Sequence, residues 1–185
     1  MMVLLGLGNP GRAYTKSRHN AGFWCIDALA QHHGIPLRDR RRHAVIAEGE
    51  IAATSVVLAR SRTYMNSSGI AARYLLDRFH AAPRDLMVVH DDMDLPLGTI
   101  RLRPGGGAAG HHGIESVIAE LRTEQFPRLR IGVGHPTDRG DGINHVLGPF
   151  NAEETTIVRE ALERAVEAMT CVVELGLDTA MNRFN

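Results

Sequence analysis

The segment Gly6-Leu7-Gly8-Asn9-Pro10-Gly11, which closes the apolar run Val3 to Leu7, constrains this chain more than any other. A run of that length reads as a buried strand, and the glycines and proline that follow must turn the chain rather than continue it. Gly6, Gly8 and Gly11 match the G-x-G-x-x-G spacing of dinucleotide-binding loops. That fingerprint needs its third glycine in the first turn of a helix whose N-terminus faces a pyrophosphate. Here Pro10 restricts Asn9 to extended conformations, and Arg12 to Ser17 is polar without helical periodicity. The helical pattern starts only near Ala21, so the loop presents Asn9 at a strand end, and His19 and Asn20 then arrive at a helix start. An amide and an imidazole brought together there point to hydrolysis more than to hydride transfer, and no nicotinamide or other cofactor is expected.

Further along, periodicity alternates between strand and helix. Ala21 to His33 is an amphipathic helix ended by Gly34 and Pro36, and Ala44 to Glu50 with Ser55 to Ala59 reads as a hairpin or close to one. Ser67 to His80 is a helix stopped before Pro83, and Leu86 to His90 is an almost wholly apolar strand suited to the middle of a sheet. Thr99 to Arg103 alternates as a partly exposed strand, Gly113 to Leu121 is a short helix, and Leu129 to Val133 is another strand. Asn151, with Glu153 and Glu154 behind it, caps a long helix to about Leu175. Interleaving of this kind implies an α/β fold: one domain over residues 1–185, a twisted mixed β-sheet covered by helices on both faces.

A composition of 44% hydrophobic residues supports a full core in a chain of 185. No apolar stretch is long enough to span a membrane, and the first residues lack the pattern of a signal peptide, so a cytoplasmic protein with no membrane partner is expected. Cys25 and Cys171 are isolated and read as buried, reduced thiols. The zero net charge hides an asymmetry: residues 1–150 carry 18 basic against 14 acidic side chains, whereas 151–185 carry 3 against 7. Three arginine pairs, Arg60/Arg62, Arg101/Arg103 and Arg128/Arg130, have the i, i+2 spacing that puts both guanidiniums on one face of a strand. Each alone is an ordinary solvated face, and together they suggest a phosphate-binding surface.

The residues that could carry chemistry collect at the carboxyl ends of the expected strands, where α/β sheets bind ligands. These are Asn9, then Tyr64 and Asn66, then His90, Asp91, Asp92 and Asp94, with His111 and His112 delivered by the glycine-rich run 104–110. His19 next to a helix start is suited to act as a base, with Asp91 the natural carboxylate to orient its ring and stabilise the cation it forms. No serine or cysteine stands in a nucleophile-elbow context, so water is the expected attacking group. A divalent-metal site built on His90-Asp91-Asp92-Met93-Asp94 with His111 and His112 is disfavoured, because neighbours on a strand point to opposite faces and no metal-binding spacing is present.

Together these motifs resemble the bacterial type of peptidyl-tRNA hydrolase. The resemblance runs through Gly6 to Gly11 with Tyr14, Ser17-Arg18-His19-Asn20 with Gly22-Phe23, Thr63-Tyr64-Met65-Asn66-Ser67-Ser68-Gly69 and His90 to Pro96. It continues in the glycine loop, Arg128 to Gly134, Val146 to Phe150 and Ala180-Met181-Asn182. It implies hydrolysis of the ester between a peptide and the 3′ ribose of tRNA, with His19 activating water and Asp91 orienting it. Asn9, Tyr14, Tyr64 and Asn66 would bind the peptide and its scissile carbonyl, Arg101 and Arg103 would meet tRNA phosphates, and the protein would act as a monomer. At one position the chain departs: the family's asparagine after the loop histidine is His112 here. A neutral imidazole donates one hydrogen bond and accepts one, so it cannot copy the amide's two donors and acceptor. The departure leaves open reduced activity, altered pH dependence, altered substrate preference, or an RNA-binding relative that has lost efficient catalysis.

Overall fold

Val3 and Leu5 point to one side of strand β1 (Met2–Gly6) and Leu4 to the other, and all three are wholly buried. The chain therefore needs an apolar layer on each face of its sheet, and the computed structural model, which describes residues 1–136 and 141–185, supplies both. After β1 come α1 (Ala21–His32), β2 (Asp39–Arg40), β3 (Ala44–Ile51), β4 (Thr54–Ser61) and α2 (Ser68–Phe79). Then follow β5 (Leu86–Asp92), β6 (Ile100–Arg103), α3 (His112–Leu121), β7 (Arg128–Gly132), α4 (Gly142–Leu147), α5 (Ala152–Leu175) and α6 (Leu177–Phe184). The strands form one seven-stranded sheet in the order β2-β3-β4-β1-β5-β7-β6. Strands β4, β1, β5 and β7 are parallel, while β2, β3 and β6 pair antiparallel at the two ends, which makes the sheet mixed as expected.

One face carries Leu4, Met87, Val89, Leu129 and Ile131 against Cys25, Ile26 and Leu29 of α1 and Ala165, Met169 and Val172 of α5. The other carries Val3, Leu5, Val57 and Val88 against Ala72, Leu75 and Leu76 of α2 and Ile114 and Val117 of α3. Each fully buried aliphatic side chain of this kind contributes about 1.5–3 kcal/mol of transfer free energy. From β1 the chain crosses to β4 on one side, and from β5 it crosses to β7 on the other. The seam between β1 and β5 is therefore the switch point where a crevice opens at the strand ends.

Two glycines make that seam close. A methyl group built on Gly22 would lie 2.4 Å from the Val89 carbonyl oxygen and 2.6 Å from that of Leu7, and one on Gly6 would lie 2.4 Å from the Gly22 oxygen. Of the glycines whose spacing imitates a cofactor loop, Gly6 thus helps dock the start of α1 on the sheet backbone, with Gly22 meeting it from the helix side. A turn of 3₁₀ helix, Arg18–Asn20, precedes α1 and carries His19 into the seam.

Three elements have no counterpart in the pattern read from sequence. Strand β2 is two exposed residues, too short to show a period. Helix α4 is six residues long, held through Ser17 Oγ to the Val146 carbonyl at 2.7 Å and the Arg18 N–H to the Gly148 carbonyl at 3.0 Å. Helix α6 follows α5 after Gly176, whose φ of 88° breaks the helix, and packs on β6. There the Asn185 amide accepts from the Leu102 N–H at 2.8 Å and donates to its carbonyl at 3.0 Å, occupying backbone groups of an edge strand. Asn151 caps α5 as expected, in a reciprocal pair with Glu154.

Candidate active site

His19 and Asp91 meet in the seam. The His19 Nδ1 lies 2.8 and 2.9 Å from the two Asp91 carboxylate oxygens, and Asp91 is only 1% exposed. A carboxylate accepts, so His19 carries its proton on Nδ1 and leaves the Nε2 lone pair free. A second imidazole converges on the same oxygen: His111 Nε2 is 3.0 Å from Asp91 Oδ1. The tautomer of His111 is set from its other side, where Nδ1 accepts the backbone N–H of Gly113 and of Ile114 at 3.1 and 3.2 Å as the cap of α3. Nε2 must then donate. Burial alone would raise the Asp91 carboxyl, but His19 and His111 outweigh it and hold that carboxyl well below the usual carboxylate range.

Asn9 is held as rigidly. Its N–H donates to Asn20 Oδ1 at 2.8 Å, its carbonyl accepts from Asn20 Nδ2 at 3.1 Å, and its side-chain oxygen accepts the Met65 N–H at 2.8 Å. With the oxygen so engaged, the Asn9 NH₂ is the end left for a ligand. Asn20 differs from the expected cap: it occupies that position before α1 but makes no side-chain cap bond, because its amide braces Asn9 instead. Asn66 lies exposed in the 3₁₀ turn Met65–Ser67, and Ser67 rather than Asn66 stands at the start of α2. Tyr14 and Tyr64 sit edge to face with ring centroids 6.4 Å apart. Asn9, Tyr14, His19, Tyr64, Asn66 and His112 line one cleft, which α4 closes with Ile143 and Leu147.

His112 is the first residue of α3 and is exposed, with Nδ1 3.0 Å from Glu115 Oε2. It stands at the rim of the cleft and outside the His19–Asp91–His111 chain. His90 turns away from Asp91's carboxylate, as strand alternation requires. Its Nδ1 donates to the Asp91 carbonyl at 2.6 Å, and burial, with help from His111, drives its pKa well down. Among the described residues, the donors that do converge to within 4.8 Å of one another, as a metal-binding group would, are those of His19, Asp91 and His111. Sequence reasoning did not assemble this trio. The sign was available in the position of His111, immediately before a helix start, where a ring nitrogen can cap the helix and leave the other nitrogen for a buried acid.

The arginine pairs divide. Arg101 stands opposite Arg130 and Arg103 opposite Arg128 in the β6–β7 ladder, so all four share one face of the sheet. Arg130 Nε pairs with Asp92 at 2.5 Å. Arg128 is buried, donates to the carbonyls of Gly106 and Gly107, and lies over the Phe126 ring, so it pins the glycine loop; burial pushes its pKa down to about 10. Arg103 is exposed. The first pair does not belong to this surface: Arg60 is bound to Asp27 at 2.8 Å beside α1, and Arg62 donates to the Arg41 carbonyl. The three pairs therefore do not share one face: Arg60 and Arg62 lie apart from the four arginines of β6 and β7, whose mutual repulsion Asp92 partly relieves.

A buried acid that holds an imidazole, with the fixed Asn9 amide lining the adjoining cleft, is an arrangement suited to a hydrolase of acyl groups. The family model described as peptidyl-tRNA hydrolase matches residues 3–185. A peptidyl-tRNA hydrolase of Dehalococcoides mccartyi is 47% identical over the full length of both chains, and one of Chloroflexus aurantiacus is 43% identical over all of this chain and 99% of its own. The crystal structure of peptidyl-tRNA hydrolase from Acinetobacter baumannii superposes with a TM-score of 0.93 at 35% identity, covering 100% of this chain and 94% of that one. The chain belongs to the peptidyl-tRNA hydrolase family. Among the described residues no helix is long and apolar enough to cross a membrane.

Proposed function

We propose that this protein hydrolyses the ester that joins a peptide to the 3′ ribose of tRNA, and that His19 is its base. The observation that carries this reading is the buried Asp91 carboxylate holding His19 Nδ1 at 2.8 Å, which leaves Nε2 free beside the cleft. Water attacks the ester carbonyl carbon as His19 Nε2 takes one of its protons, and Asp91 stabilises the imidazolium. The negative charge moves to the carbonyl oxygen, where the Asn9 NH₂ and the Asn66 amide are the available donors. Collapse of the tetrahedral intermediate breaks the bond to the ribose oxygen, to which the imidazolium returns the proton. The products are a peptide acid and tRNA with a free 3′ end.

Tyr14 and Tyr64 flank the peptide in this scheme, His112 meets it at the rim, and Arg101 with Arg103 meet tRNA phosphates. The protein acts as a monomer in the cytoplasm, with peptidyl-tRNA as partner and without a cofactor. The lost-catalysis alternative is not favoured, because the His19–Asp91 pair and Asn9 are intact and His112 lies outside that network. The test is peptide release from an N-acetylated aminoacyl-tRNA. His19→Ala abolishes release while EDTA leaves the wild-type rate unchanged, and full activity in His19→Ala would overturn the mechanism.

A further inference from the structure

The turn that carries His19 is tied to the α4 wall of the cleft by two neighbouring side chains. Ser17 is buried, and its hydroxyl accepts the His19 N–H at 3.3 Å while donating to the Val146 carbonyl at 2.7 Å. The Arg18 N–H donates to the Gly148 carbonyl at 3.0 Å, and its guanidinium carbon lies 4.5 Å from the centroid of the Phe150 ring. Nη1 and Nη2 of Arg18 then donate, at 3.1 and 3.0 Å, to one oxygen of Glu154, which also accepts the Asn151 N–H at the start of α5. The Arg18 side chain is only 11% exposed, so this ion pair is screened less than a surface pair. We infer that Arg18 is a positioning residue: it clasps the segment from α4 to the start of α5 onto the catalytic turn and so fixes the apolar wall of the peptide cleft relative to His19.

The step rests on the hydrolytic reading of the site and concerns its binding side. Helix α4 presents Ile143, Val146 and Leu147 to the cleft that holds Asn9, Tyr64 and His19. At six residues it is too short to persist without tertiary partners. His145 Nε2 also donates to the Val133 carbonyl at 3.1 Å, so losing Arg18 loosens this wall without releasing it. His19 has its own hold, since Asp91 grips Nδ1 independently of Arg18. The two kinetic constants should therefore part. A wall displaced for part of the time lowers the apparent affinity by the fraction in place, whereas substrate once bound draws it back. The step after binding then proceeds on an unchanged His19–Asp91 pair.

Steady-state peptide release from N-acetylphenylalanyl-tRNA tests this, with the Tm of each variant measured alongside and the assays run well below it. Arg18→Ala should raise KM about tenfold, as expected for a lost charged hydrogen bond, and leave kcat within about threefold. Arg18→Lys, which keeps a charge within reach of Glu154, should recover part of that loss. Glu154→Gln retains an acceptor oxygen for the Asn151 N–H but no charge for Arg18. It should raise KM as well, and adding it to Arg18→Ala should change KM by less than about twofold, because both remove the same contact. Should Arg18→Ala not fold, Arg18→Lys and Glu154→Gln complete the same cycle. A lower Tm with both constants unchanged, a fall in kcat at constant KM, or full additivity of the two substitutions would overturn the assignment. Absence of peptide release by the wild type would instead strike the hydrolytic reading, so the two failures are distinguishable.

Discussion

Asp91→Asn tests the catalytic geometry most sharply, because the surrounding hydrogen bonds allow the new amide only one orientation. His111 must donate from Nε2, since two backbone N–H groups occupy its Nδ1. The oxygen of the introduced amide must therefore take the Oδ1 position that His111 contacts, which puts the NH₂ at Oδ2, 2.9 Å from His19 Nδ1. Two donors oppose each other there, so the His19 Nδ1–H keeps only the oxygen at the Oδ1 position, 2.8 Å away, and the two-oxygen hold on the ring is lost together with the negative charge. The lost attraction between a carboxylate and the developing imidazolium is about 4 kcal/mol across ~4 Å at an effective dielectric of 20. At about 1.4 kcal/mol per decade this is roughly a thousandfold in kcat. KM should change by less than about threefold, since Asp91 orients the base and does not hold the peptide. Single-turnover release of peptide from N-acetylated aminoacyl-tRNA measures both quantities. A loss below tenfold would refute the role given to the Asp91 charge.

The same variant has a signature in stability. The folded Asp91 carboxyl titrates below its unfolded value of about 3.9, so the stabilisation it gains from His19 and His111 is complete above that pH. It is lost as the pH falls below about 3.9 toward the depressed folded value. Urea midpoints measured across the acid range should fall less steeply in Asp91→Asn than in the wild type, and parallel curves would contradict the assignment.

Arg103→Glu should raise KM for peptidyl-tRNA about tenfold at low salt and flatten its salt dependence, while competitive inhibition by an N-acetylated amino acid stays unchanged; an unaltered salt slope would remove Arg103 from the phosphate surface. His112→Asn frees a donor pair at the rim from Glu115, and a single hydrogen bond of about 0.5–1.5 kcal/mol predicts a twofold to tenfold gain in kcat/KM; no change would show that this side chain does not touch substrate. The hairpin between β3 and β4 turns at Ala52 and Ala53, with φ of 49° and 61°, where Asn-Gly is preferred. Replacing both by Asn-Gly should add about 1 kcal/mol and raise Tm by about 2–4 °C, read by calorimetry, and a lower Tm would count against strain at this turn.

Much of the architecture is legible from local pattern. Val3, Leu4 and Leu5, all buried on alternate sides of one strand, call for two covered faces, and the Asn151–Glu154 signal starts α5 where the structure starts it. Short-period signals fail where an element is held by distant partners. Helix α4 depends on Ser17 and Arg18, and the end of α6 depends on the edge of β6, so neither has a periodic signature of its own.

For the site, local pattern along the chain picks out the cast and their neighbourhood. Asn9, His19, Asn66 and Asp91 fall at strand ends and turns because apolar runs stop beside them, and Pro10 with the late start at Ala21 separates the glycine loop from a dinucleotide cradle. How these groups are wired follows from packing alone. The glycines prove to matter for backbone contact, Gly6 and Gly22 letting α1 sit on β1 and β5. Asn20 turns from cap to brace for Asn9, Arg128 from phosphate ligand to anchor of a loop, and His111 from a loop-end residue to the second partner of Asp91. Each of these is settled by a hydrogen bond between residues far apart in the chain. Propensity and spacing are local, whereas the direction of a hydrogen bond and the tautomer of an imidazole depend on every partner that packing brings within reach.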